Sequence, residues 1–180
     1  MFKSIDDQLN KITMYRLVLY YLIFLLVTAF LMSAVGAMSF DPFALLVSIA
    51  FLLAVCVLTN RLFAATFGVP ANVESVYISA LILALILSPI KSLNDLWFFG
   101  WAAILAMSSK YILSFKGRHI FNPVAFAVAL TYFTVNHSAS WWIGNGWMAP
   151  FVLLGGLLVV RKIGRLDLVL SFLLTALVIV

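Results

Sequence analysis

Long apolar runs separated by short polar stretches set the pattern of this chain. Seven can be marked, at residues 17–38, 42–67, 75–90, 96–114, 123–135, 147–160 and 166–180. A helix needs about 20 residues to cross hydrocarbon, so the third, fifth and sixth are short for full spans. Uninterrupted apolarity predicts helices, which satisfy their own backbone groups in lipid. Short, proline-punctuated runs predict broken or half helices, tolerated only where protein or a cavity lines them. The expected fold is therefore all-α: a polytopic helical membrane protein with a cytoplasmic N-terminal segment (1–16) and a transmembrane domain (17–180).

Composition strengthens this reading. The 180 residues are 66% hydrophobic and 9% charged, with a mean hydropathy of +1.19. A soluble domain is about one quarter charged, so this chain has too few charges to solvate a globular surface. The net charge of +5 could suggest nucleic acid. The basic residues instead fall in loops between apolar runs, as membrane topology requires. The single cysteine, Cys56, lies inside an apolar run and reads as a small hydrophobe. The polar N-terminus and long first run do not fit a cleaved signal peptide, and a retained first helix is expected.

Orientation follows from the same residues. Lys3, Lys11, Arg16, Arg61, Lys110, Lys116, Arg118, Arg161, Lys162 and Arg165 fall on one side of the seven runs, and only Lys91 falls on the other. This positive-inside pattern places the N-terminus in the cytoplasm and the chain in the inner (cytoplasmic) membrane. Trp97, Trp101, Trp141, Trp142 and Trp147 gather toward the opposite face, as an interfacial belt would. The sequence stops in LVLSFLLTALVIV without a flanking charge, and the natural protein is expected to continue beyond it.

Candidate chemistry is concentrated in three places. In KGRHIFNPVAF, Asn122 suits an N-cap and Pro123 the first helical turn. A helix starting there would present free N–H groups and a positive dipole end, with Arg118 and His119 just upstream. The plain alternative is a capped helix with cytoplasmic anchors. In ESVYISALILALILSPI, Ser75 and Ser79 share a helix face after Glu74. They suit a polar ligand or close helix packing. Lys110, inside the fourth run near its cytoplasmic end, either snorkels to the interface or serves a site. Arg61, preceded by Asn60, is a similar case, and His137 reads as a solvated loop residue. No Ser-His-Asp order, HExxH, P-loop, zinc spacing or haem-spaced histidine pair is present.

Taken together, SVYISALILALILSP, SKYILSFKGRHIFNPVAF and LLGGLLVVRKIGRLDLVLSFLL resemble one membrane family. It comprises the D subunit of Rnf electron-transport complexes and the B subunit of the sodium-translocating NADH:quinone reductase. The resemblance covers about residues 70–180 and falls on Ser75, Ser79-Ala80, Pro89, Lys110, Gly117, Phe121, Asn122 and Pro123. It implies a urea-transporter-like inverted-repeat fold and an electron-transfer subunit holding flavin. It also implies a cytoplasmic NAD(P)H-dehydrogenase module or subunit as donor, with other electron-transport subunits as further partners. The family attaches FMN to a threonine after the Asn-Pro helix, whereas TVNHSASWWIGNG carries no such motif. The expected cofactor is thus a noncovalent flavin, riboflavin or FMN, contacted by Ser75, Ser79, Lys110, Gly117, Arg118, His119, Phe121, Asn122 and Pro123. The rival reading is a solute channel or transporter of the same architecture without a redox role.

Overall fold

A computed structural model describes residues 11–70, 72–115, 118–135, 137 and 139–179, with the side chains of Phe115, Arg118 and His119 outside the described atoms. Seven α-helices are present among the described residues: α1 (Met14–Ala34), α2 (Pro42–Phe67), α3 (Val73–Ile86), α4 (Leu96–Ile112), α5 (Pro123–Val135), α6 (Ala149–Ile163) and α7 (Leu166–Ile179). Two single-turn 3₁₀ helices, Leu93–Asp95 and Trp142–Gly144, lie between them. Two-residue strands β1 (Ser114–Phe115) and β2 (Arg118–His119) form an antiparallel hairpin, pairing Ser114 with His119 and Phe115 with Arg118. The chain is all-α apart from that hairpin. Helices α1 and α2 are each long and apolar enough to cross a membrane, while α3, α5 and α7 are shorter apolar helices.

Local chemistry sets the helix limits. Asp41 caps α2, its carboxylate accepting from the Ala44 N–H at 3.0 Å, and Pro42 opens the first turn. Gly68 closes the same helix in the left-handed region (φ 62°), where a side chain would be strained. Asn72 caps α3 by accepting from the Ser75 N–H at 3.1 Å. Asn122 caps α5, its Oδ1 taking the N–H groups of Val124 (3.0 Å) and Ala125 (3.3 Å). The helix break expected at Asn122-Pro123 is therefore present.

Helix α3 forms the centre of the bundle. Val76, Ser79, Ala80, Leu81, Leu83, Ala84, Leu85 and Ile86 are buried on most of its circumference, as expected for a helix apolar on nearly every side. It packs against α1 and α2, and α2 packs in turn on α4, whose Ala102, Ala103 and Ala106 are fully buried. Helix α5 covers the other side of α4.

α3 is 14 residues long, so it rises about 21 Å and ends inside the bundle, where Leu87 and Ile90 are buried. Its last carbonyls find donors from other segments. Ile86 O accepts from the N–H groups of Ser140 (2.9 Å) and Trp141 (3.0 Å). The Ile90 N–H donates to Ser48 Oγ at 2.8 Å. Helix α6 runs antiparallel to α1, and α7 packs on α6. No described residue of either is buried.

Candidate functional site

The polar site lies where α2 and α4 end and α1 and α3 begin. Lys110 occupies the last turn of α4, and Tyr111 follows it. Successive helical residues point about 100° apart, so the two side chains reach different neighbours. Lys110 Nζ donates to Ser75 O (2.9 Å) and Ser75 Oγ (3.1 Å) on α3. Tyr111 Oη donates to Asn60 Oδ1 (2.8 Å) and to Asn60 O (3.2 Å) on α2. Asn60 is buried, with 4% of its surface exposed. A buried amide in an apolar helix needs a partner, and Tyr111 is that partner.

These groups line a cleft of about 540 Å³, together with Tyr15, Phe67, Val69, Pro70, Asn72 and Ser114. One wall is aromatic. The rings of Phe63 and Phe67, one turn apart on α2, stack at 6.2 Å, and Tyr111 lies 5.8 Å from each. Among the described residues no carboxylate lines the cleft and Lys110 makes no ion pair. Nearby, Arg16 Nε pairs with Glu74 Oε1 at 3.2 Å and ties the start of α1 to that of α3. Both side chains are well exposed, so the pair adds little stability.

The residues singled out from the sequence divide between two places. Ser75 and Lys110 meet directly. Ser79 is buried one turn further along α3 and donates to Ser75 O at 2.9 Å, so the shared face of the two serines serves the helix itself. Asn122 lines a different groove, of about 390 Å³, with Ile82, Ile86, Val128 and Tyr132 among its walls. Its Oδ1 is engaged at the start of α5. Pro123 is buried, while Phe121 is exposed and stacks at 6.3 Å on Phe126. Gly117 and Lys116 lie outside the described residues, as do the side chains of Arg118 and His119.

Two members of the cleft were not evident from the sequence. Tyr111 carried no signal beyond following Lys110. Asn60 was noted only beside Arg61, which is exposed. The available signal was its own position, as an amide buried late in a 26-residue apolar helix.

At the opposite end, His137 is exposed as expected, yet it packs on the rings of Trp97 (5.3 Å) and Phe98 (5.1 Å). There the Asp95 carboxylate accepts from the N–H groups of Lys91 and Ser92. These hydrogen bonds hold its pKa below the usual carboxylate value. No cluster of three or more His, Cys, Asp or Glu side chains able to hold a metal occurs among the described residues. Comparisons of the chain with family models, with curated proteins and with solved structures return no match.

Proposed function

We propose that this chain is a polytopic protein of the cytoplasmic membrane, N-terminus inside, that holds a noncovalent flavin in the Lys110 cleft. Its role in this reading is electron transfer, from a cytoplasmic NAD(P)H-dehydrogenase module to an acceptor within or across the membrane. The membrane part is supported by the exterior. Phe24, Leu31, Leu46, Leu58, Leu62, Leu154 and Phe172 are among many large apolar side chains that face outward, far beyond what a soluble surface carries. The short α3 supports it too, since a helix may end at membrane depth only where protein satisfies its backbone.

One observation carries the flavin part. Lys110 reaches a cleft walled by Phe67 and Tyr111, with hydrogen-bonding groups on Asn60 and Ser75 beside it. A flat, partly polar ring needs that combination of aromatic wall and edge donors. Ser75, Lys110, Asn60 and Tyr111 would hold the ring. A positive charge near its edge favours the electron-rich form. Bound flavin supplies reversible one- and two-electron transfer; the chain supplies orientation, shielding from water and the Lys110 charge.

The test is a visible spectrum of the detergent-purified protein, followed by acid precipitation. The expected result is flavin absorbance that leaves with the supernatant. Colour that stays on the polypeptide would contradict noncovalent binding. A folded protein that takes up neither riboflavin nor FMN would replace this reading with the solute-transporter one.

A further inference from the structure

We infer that the cleft grips its ligand by a carbonyl-bearing ring edge, through Lys110 and Asn60, and leaves any phosphate tail in water. This deepens the flavin reading and rests on it.

The inference comes from counting donors. An ammonium carries three N–H bonds and a carboxamide nitrogen two. Ser75 takes two from Lys110, which leaves one. Asn60 Oδ1 accepts from Tyr111, but no described residue accepts from Asn60 Nδ2. Asn60 is buried, and among the described residues no fully buried side-chain nitrogen or oxygen lacks a partner. The Asn60 nitrogen is therefore not sealed off, and the cleft that Asn60 lines is the space beside it. Two inner residues thus present unspent N–H groups, and a ligand must answer them with acceptors. Ring carbonyl oxygens do this in the plane of a flat ring that lies along Phe67 and Tyr111.

The rim points the other way. Tyr15, Phe67, Val69, Pro70, Asn72 and Ser114 are exposed and carry no charge. Among the described residues that line the cleft, Lys110 is the only cation, and it is at the inner wall, bonded to Ser75. Of the described cations a phosphate in the cleft would meet only Lys110, and would have to displace the ring edge to reach it. Ring recognition and phosphate recognition therefore compete for one lysine, and two donors on adjacent helices favour the ring.

The test is an equilibrium titration of the detergent-solubilised chain, read by flavin fluorescence. Its ligands are riboflavin, FMN and lumiflavin, which has no tail. Phenazine, a tricycle without the carbonyl edge, serves as a competitor. The three flavins should bind with affinities within about threefold of one another, and phenazine at least about tenfold more weakly. Lys110→Met and Asn60→Leu should weaken all three flavins alike. The phenazine comparison needs no variant, so it stands even if Asn60→Leu fails to fold. FMN binding tenfold tighter than riboflavin, with the gap closed by Lys110→Met, would overturn the inference and leave the flavin reading intact. Failure of every flavin to bind a cooperatively unfolding protein would overturn both.

Discussion

The indole N–H of Trp142 donates to Leu87 O at 2.8 Å and also to Ala84 O at 3.0 Å. A side chain from the loop after α5 thus caps the C-terminus of α3, the central helix. Trp142 also packs edge-on against Phe40 at 4.9 Å, which joins the loop between α1 and α2 to the same point. Pro89 follows within three residues of the helix end, so α3 cannot continue, and its last carbonyls depend on this tertiary donor.

Trp142→Phe keeps most of the aromatic bulk and removes the donor. We expect a loss of about 1–3 kcal/mol from the unsatisfied carbonyls, seen as a lower midpoint of thermal unfolding in detergent. Ser48→Ala, which strips the Ile90 N–H of its acceptor, should behave similarly. Trp141→Phe, at an exposed side chain, should not. Equal midpoints for Trp142→Phe and the parent would contradict the capping role.

Helix α6 docks on α1 through Tyr21, whose hydroxyl donates to Val152 O at 2.8 Å. Its ring covers Gly155 so closely that a Cβ there would fall 1.9 Å from Tyr21 Cε2. Gly155→Val should destabilise the α1–α6 contact by about 1–3 kcal/mol or more. Gly156→Ala, which meets open space, should be tolerated. Limited proteolysis between α5 and α6 offers a direct readout, with faster cleavage expected only for Gly155→Val.

Much of this architecture was legible in the chain. The expected runs 42–67 and 123–135 coincide with α2 and α5, because Asp41-Pro42 and Asn122-Pro123 fix helix starts by local chemistry. The Lys110–Ser75 contact was legible only as two separate candidates. Their meeting depends on how α3 crosses α4, which no local pattern states. Asn122 shows the converse: its capping role was readable, but it lines a groove apart from the one that holds Lys110. The Trp142 contact lay furthest from view, because it spans 55 residues and an aromatic near the outer face reads first as an interfacial anchor.

Asp95 gives a pH signature. Its pKa is lowered in the folded protein, chiefly by the Lys91 and Ser92 N–H groups. A depressed carboxyl contributes stability that is present above its unfolded pKa and is lost as pH falls through the folded value. The midpoint difference between the parent and Asp95→Ala should therefore be constant at neutral pH and shrink below about pH 4. The effect should be modest at this solvent-facing site. A difference that grew on acidification would contradict the assignment.

Topology is open to labelling, because Cys56 is fully buried and should remain silent. In intact cells, a membrane-impermeant maleimide should label Lys91→Cys directly. It should label Arg61→Cys and Arg165→Cys only after permeabilisation. Labelling of all three from one side would refute the proposed membrane orientation.

Flavin content in two leucine variants tests the central claim most directly. Ser75→Leu fills the cleft beside Lys110, whereas Asn122→Leu removes the α5 cap at a cost of about 0.5–2 kcal/mol without entering the cleft. Each protein is purified, loaded with riboflavin, desalted and assayed for flavin per chain. The account predicts that Ser75→Leu falls to about a tenth of the parent or less, a change worth some 1.4 kcal/mol in affinity, while folded Asn122→Leu stays within about twofold. Retention in Ser75→Leu together with loss in Asn122→Leu would contradict it.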